Sequence, residues 1–354
     1  MKENRTRELL RRQRELYPQV QAQDVFKFLY QSAFGCEHLL SSTELAQERI
    51  GEEFAALAPD AAAQTEELDG AFCRVPLSVL REGLSVQTLA KLFYLSAKKE
   101  VSGKDALAEK LRVAAQLAQE GAFSFSAQEF EAAAARWAAE GYGAVRHSAA
   151  FREAYRPSYR VIAREFVRFL PLFAELDRRL AQGRVTLAVE GGSASGKSTL
   201  GALLEEVYGC TLFHTDDFFL QLWQRTPERF AEVGGNLDRE RFLSEVLLPL
   251  SRGEAVDYRR FDCATMKILP AVRVEPKCLT VIEGAYSMHP ELAPYYDFSV
   301  FLDVDATTQR TRIQKRNAPA MAERFFNEWI PLETVYFEKT AAKERCDMVI
   351  AINE

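Results

Sequence analysis

The chain has 354 residues, 47% of them hydrophobic and 27% charged, with a formal net charge of -6. This is the make-up of a globular protein with a real core, and the length suggests about two domains, not a disordered or fibrous chain. The acidic balance excludes a general electrostatic footprint for nucleic acid or an anionic membrane, and no run reaches the ~18 apolar residues of a membrane span. The charged start "MKENRTRELLRRQRELYPQ" has no apolar stretch of the kind a secretory signal needs. Six cysteines lie scattered without C-x-x-C spacing. The expectation is reduced thiols in a cytoplasmic protein.

Taken in chain order, the first half reads as helices. "DVFKFLYQSAF" and "SVQTLAKLFYLSAKKE" place apolar residues at i, i+3 and i+4. "SAQEFEAAAARWAAEG" opens with Ser126 and Glu129 at capping-box spacing and closes on Gly141. "SYRVIAREFVRFLPLFAELDRRLAQG" predicts one long helix, bent at Pro171 and ending at Gly183. Almost nothing in this half reads as strand. Cys36, Glu37 and His38 stand together, with His147 further on. A zinc site is one reading of them, and a satisfied histidine at a helix end is the simpler one. The arginines and tyrosines between Arg146 and Arg160 suit an anion, a cleft elsewhere in the chain, or plain surface.

Near Gly183 the texture changes to strand, loop and helix. "RVTLAVE", "CTLFHT", "CLTVIEG", "FSVFLDVD" and "DMVIAI" are short runs rich in Val, Ile and Leu, as in parallel strands covered on both faces. The expected fold class is therefore α/β: a P-loop NTPase-type parallel sheet with flanking helices over residues 183–354, preceded by an all-α domain over residues 1–182.

Between the first strand and the helical "STLGALLEEVYG" lies "GGSASGKST". Gly191, Gly196, Lys197 and Ser198 match G-x-x-x-x-G-K-[ST]. In that setting the backbone of Gly191, Gly192, Ser193, Ala194, Ser195, Gly196, Lys197, Ser198 and Thr199 forms a phosphate cradle at a helix N-terminus. Lys197 is expected to reach the β- and γ-phosphates and Ser198 to ligate Mg²⁺. No guanine-reading N-K-x-D loop and no "LSGGQ"-like signature is visible, which argues against a GTPase and an ABC ATPase. Asp216 and Asp217 follow the strand "CTLFHT" at the end where ligands bind in open α/β sheets. A carboxylate there can take the proton of an attacking hydroxyl, and either aspartate also suits a helix start.

Together, "GGSASGKSTL", "TDDFF", "GNLDRERF", "VIEGAYS" and "FLDVDATTQRTRIQKRN" resemble the uridine kinase-like family of P-loop small-molecule kinases. The likeness covers most of residues 185–354 and none of residues 1–180. It implies an ATP- and Mg²⁺-dependent phosphotransferase acting on a hydroxyl of a nucleoside or nucleoside-like metabolite. On the family pattern, Asp216 is the base and Glu283 binds Mg²⁺; a buried acid ending that strand can also simply pair with Lys197, and the two roles are compatible. Asp238 grips sugar hydroxyls, or simply caps a helix. Arg312 and Arg316 sit on a lid that closes over the transferring phosphate. The chain departs from the pattern where no histidine follows Tyr258 in "VDYRRFDCAT", and where Gln309 stands in place of an arginine. Tyr258, Arg260, Asp262, Tyr286 and His289 are then candidates for a different acceptor pocket, with Arg260 suited to an anionic acceptor. Trp329, Pro331, Glu333 and Tyr336 read as packing of a C-terminal helix on the sheet. The expected partner is a small molecule, with no nucleic acid and no membrane, and the helical half serves as a regulatory or dimerising appendage or as a wall of the acceptor pocket. A homo-oligomer fits the second of these roles. The competing reading is a nucleotide-dependent binding module whose helical half engages a partner.

Overall fold

The computed structural model describes residues 2–36, 42–59, 64–99, 101 and 103–353. Two compact units divide the chain, Met1–Asp177 and Arg178–Glu354, and the division falls inside the helix Leu170–Leu180. Among the described residues, no helix is long and apolar enough to cross a membrane.

The first unit is mainly helical, with helices that include Lys2–Leu16, Ala22–Phe34, Thr43–Ala55, Val86–Ala97, Gly103–Gln119 and Ala127–Ala139. Ser126 caps the last of these and forms the expected capping box with Glu129. To this the structure adds a small antiparallel sheet, Glu66–Glu67, Phe72–Pro76 and Tyr159–Ala163 in that order. The long helix expected from Ser158 onward is therefore corrected. Its first five residues after Ser158 form a strand paired with Phe72–Pro76. A short helix Arg164–Val167 comes next, and a separate helix starts at Leu170. Pro171 lies in the first turn of that helix, where a missing N–H costs nothing, so it starts the helix and does not bend it.

A buried polar chain ties this unit together. Asp24, 3% exposed, accepts from the Ser148 amide (2.9 Å) and hydroxyl (2.7 Å), and its oxygens also meet the Gln21 amide (3.0 Å) and His147 Nδ1 (2.9 Å). Burial pushes the Asp24 carboxyl up, but the bonds from His147 and Ser148 outweigh it and hold it below the ordinary range. For His147 the outcome is opposite: burial holds the imidazole down to about 4 despite Asp24. Below pH ~6.5 an unfolded histidine binds a proton that folded His147 refuses until about pH 4. The unit is thus expected to be fully stable above pH ~6.5 and to lose up to about 3 kcal/mol as the pH falls towards 4. Urea unfolding at pH 7 and 4.5 checks this; a His147→Asn variant should show a shallower acid loss. Cys36 is fully buried against the Val161 and Phe93 carbonyls, and burial pushes its thiol up to about 12. Glu37 and His38 lie outside the described residues.

In the second unit, all five apolar runs are strands of one parallel sheet. The order is Met348–Ile352, Phe298–Val304, Val185–Gly191, Leu279–Glu283, Thr211–His214. Leu187, Ala188, Val189, Val281, Ile282, Val300 and Leu302 are fully buried. Each branched side chain removed from water this way contributes roughly 1.5–3 kcal/mol. The register then positions the site: Glu283 pairs with both Val189 and His214, so three strands end side by side.

Candidate active site at the ends of the parallel strands

The central strand ends in the cradle. Gly191 has φ 147°, and a Cβ there would lie 2.7 Å from the Leu302 carbonyl oxygen and 2.9 Å from Ser195 Oγ, so only glycine fits. Gly196, with φ 102°, starts the helix Lys197–Tyr208. Lys197 Nζ donates to the carbonyls of Gly191 (2.8 Å) and Gly192 (3.0 Å). Ser195 is fully buried with its hydroxyl unpartnered, and the amides of Ala194 and Gly196 carry no internal hydrogen bond among the described residues. Ser198 and Thr199 are exposed on the first helical turn. Free amides, an unspent hydroxyl and a helix N-terminus form a fitting receptacle for phosphate oxygens.

Beside it stands Glu283, 4% exposed, with Oε1 2.5 Å from Nδ1 of His214. That bond raises the imidazole above its ordinary value. Glu283 therefore engages His214 and Lys197 the loop carbonyls, so the simpler reading of Glu283, a pair with Lys197, does not describe its contacts.

The neighbouring strand ends in the tight turn Thr215–Phe218, which separates the two aspartates. Asp217 accepts the Tyr258 hydroxyl at 2.5 Å, and the same oxygen of Tyr258 accepts the His214 amide at 3.2 Å. Asp216 is exposed and its carboxylate has no hydrogen-bond partner among the described residues. Although the residue reaches solvent, the protein packed round it partly desolvates the carboxyl and raises it above the usual range; Lys197 and His214 oppose the rise, and Glu283 and Asp217 add to it.

Other expected site residues divide. Arg312 Nη1 donates to the Ala194 carbonyl (3.2 Å), and Gln309 Nε2 donates to the Ser193 carbonyl (2.8 Å). Arg316 is exposed, its guanidinium 5.9 Å from the Phe325 ring centroid. Asp238, 2% exposed, caps the helix Arg239–Phe242 through the Arg241 amide (3.2 Å), so the simpler of its two readings describes its contacts. Arg260 is exposed. Asp262 folds back on Thr265 (2.6 Å) and the Ala264 amide (2.9 Å), and Tyr286 and His289 are buried around Tyr336.

Two carboxylates of the site are not apparent as such from the sequence. Glu333, which reads as helix packing, accepts the Ser193 amide (2.8 Å) and hydroxyl (2.6 Å). Burial raises its carboxyl, and Lys197 opposes the rise. Glu190, fully buried, accepts from the amides of Gly191 (2.8 Å) and Met288 (2.9 Å) and from Tyr336 (3.0 Å), and burial pushes it up to about 7. An acid ending an otherwise apolar strand is the available signal for Glu190. Glu333 offers none, being 140 positions from Ser193.

No family model matches the chain. Over 139 residues it is 27% identical to uridine kinase-like protein 4 of Arabidopsis thaliana, covering 37% of this chain and 29% of the relative. The match thus spans less than a third of that protein's length. Among solved structures, a possible uridine kinase from Bacillus stearothermophilus is 23% identical with TM-score 0.38, covering 50% of this chain and 99% of the other. A D-glycerate 3-kinase from Cryptococcus neoformans is 15% identical with TM-score 0.38, covering 49% and 92%. A shikimate kinase from Acinetobacter baumannii is 15% identical with TM-score 0.28, covering 48% and 85%. Over 139 residues, then, this chain is similar in sequence to a uridine kinase-like protein.

Proposed function

We propose that the second unit binds ATP with Mg²⁺ and transfers the γ-phosphate to a hydroxyl of a small metabolite, a nucleoside or a compound like one. The observation that carries this is Asp216: an exposed, unpartnered carboxylate on the strand end beside Glu283, with the cradle on the next strand. A protein that only sensed nucleotide would have no use for a free base there. The cradle amides and Lys197 would hold the triphosphate, and Ser198 and Glu283 the metal. The metal would supply charge neutralisation on the phosphates. Asp216 accepts the hydroxyl proton, and Arg312 brings a cation to the loop. Arg316 lies one turn further along the same helix and would act on closure. Tyr258 orients the acceptor side by fixing Asp217, and exposed Arg260 would meet an anionic acceptor.

The test is ADP release from purified protein with ATP alone and then with nucleosides, nicotinamide riboside, pantothenate and sugar phosphates. Release that depends on one acceptor supports the reading. Tight ATP retention with no acceptor dependence would favour the binding module instead. Lys197→Ala is expected to weaken ATP binding at least about tenfold by removing charge-assisted contacts to phosphate, measured by calorimetric titration.

A further inference from the structure

We propose that the helical unit carries a second ligand site, for a small phosphate-bearing molecule, in the cavity bounded by Lys27, Arg49, Tyr159 and Arg160. The cavity holds about 270 Å³. Its cations come from three elements: Lys27 from the helix Ala22–Phe34, Arg49 from Thr43–Ala55, and Arg160 from the strand Tyr159–Ala163. Among the described residues of its wall Glu53 is the one carboxylate, and it is spent on Arg160 through paired bonds of 2.9 and 2.8 Å. That clamp fixes the Arg160 guanidinium in place. Lys27 is half-buried and donates to the Val145 carbonyl (3.1 Å), with no carboxylate in ion-pair range among the described residues. Burial lowers its ammonium to about 8, with Arg74 and Arg146 adding to the fall and the Asp24 carboxylate opposing it. Arg49 is exposed and likewise has no acid partner among the described residues.

The polar chain of Asp24, His147, Tyr159, Gln31 and Arg74 has a sufficient structural explanation, since its members bond to one another. Lys27 and Arg49 take no part in it. Lys27 tethers the Val145 carbonyl and feels the Asp24 carboxylate, but it makes no ion-pair contact among the described residues, and a bound anion would offset the cost of half-burying its ammonium. Burial holds the His147 imidazole down to about 4, so it adds little charge at neutral pH; its Nδ1 lies 2.9 Å from Asp24 and its Nε2 2.8 Å from the Tyr159 hydroxyl. Behind Tyr159, Arg74 is 2% exposed, its guanidinium 4.9 Å from the Tyr159 ring centroid. Its Nη2 has no hydrogen-bond partner among the described residues, and Arg74 lines a second cavity of about 150 Å³ that shares Pro157 and Tyr159 as its wall. Lys27 and Arg49, neither of them in an ion pair among the described residues, together with the fixed Arg160 suit a phosphate monoester, which carries about -1.5 to -2 at neutral pH, better than a single carboxylate.

The experiment is calorimetric titration of the full chain with inorganic phosphate and with glycerol phosphate, and with acetate as the carboxylate arm. Saturable phosphate binding is expected in the wild type and in Lys197→Ala, where the cradle of the second unit is weakened. It should be at least about tenfold weaker in Lys27→Met and in Arg49→Ala. Arg49 is exposed, so its variant tests the site even where Lys27→Met is poorly folded, which a melting curve reports. Absence of saturation overturns the proposal. Binding lost in Lys197→Ala but kept in Arg49→Ala also overturns it and moves the anion to the cradle. Acetate binding as tightly as phosphate overturns the choice of phosphate. On the supporting side, the Lys27 ammonium, followed by NMR, should titrate above about 8 once phosphate is bound.

Discussion

Replacing Asp216 by asparagine is expected to lower turnover by about 10²–10⁴ while leaving ATP affinity nearly unchanged. Asparagine keeps the shape of the side chain and cannot take a proton. The geometry separates the two adjacent acids: Asp217 is bonded to Tyr258 at 2.5 Å, whereas Asp216 has an open carboxylate. Asp217→Asn should therefore act mainly through the position of the turn, with a smaller loss in kcat. The pH profile carries the same assignment. A base works only when ionised, so kcat/KM should fall as the pH drops through the Asp216 pKa. That limb should lie above the ordinary aspartate range, because the surrounding protein and Glu283 raise the Asp216 carboxyl. In Asp216→Asn the limb should be absent. Undiminished turnover with the acceptor found in the ADP-release panel would remove Asp216 from the role and, with it, the observation that carries the kinase reading.

How much of this is legible in the sequence depends on the range of the interaction. The five sheet strands are visible because each is a short run of β-branched and apolar residues bounded by polar turns. The cradle is visible because its spacing is local. Tyr159–Ala163 is hidden because its five residues lead straight into a helical pattern. Its partner Phe72–Pro76 lies more than 80 positions away, so only tertiary pairing reveals it as a strand. Glu333 is hidden in the same way, with a local pattern that says helix and a contact that depends on the whole sheet. Gln309 reads as a departure from the family, yet its amide reaches the Ser193 carbonyl. Charge at that position is replaced by a neutral tether, something a motif comparison does not register. The His214–Glu283 pair is also absent from any local pattern, although the two residues end adjacent strands and strand order alone brings them together.

Gly284→Ala is expected to destabilise the second unit by about 3–5 kcal/mol, the range reserved for special backbone positions and severe overpacking. Gly284 has φ 144°, a conformation that side chains other than glycine rarely adopt, and a Cβ there would lie 1.9 Å from Thr215 Oγ1 and 3.1 Å from Thr215 Cβ. The neighbour cannot easily give way. Thr215 is fully buried and β-branched, and its hydroxyl donates to the Ala285 carbonyl at 3.0 Å. Thermal unfolding should show a loss of roughly 10 °C for a unit of this size. Steric and backbone parts can be separated by the double variant Gly284→Ala/Thr215→Ala. Clearing the threonine side chain should recover part of the loss, at least about 1 kcal/mol of coupling, and leave the strain of the positive φ. Where enough Gly284→Ala protein folds, its turnover should also fall. Gly284 follows Glu283, and Thr215 precedes Asp216, so any shift that admits the new methyl moves the proposed base against the proposed metal ligand. A displacement of about 1 Å at a reacting centre can cost on the order of 10²-fold in rate. A variant that melts with the wild type would show that the two strand ends are not in contact there, and the juxtaposition of Asp216 and Glu283 on which the site depends would have to be abandoned.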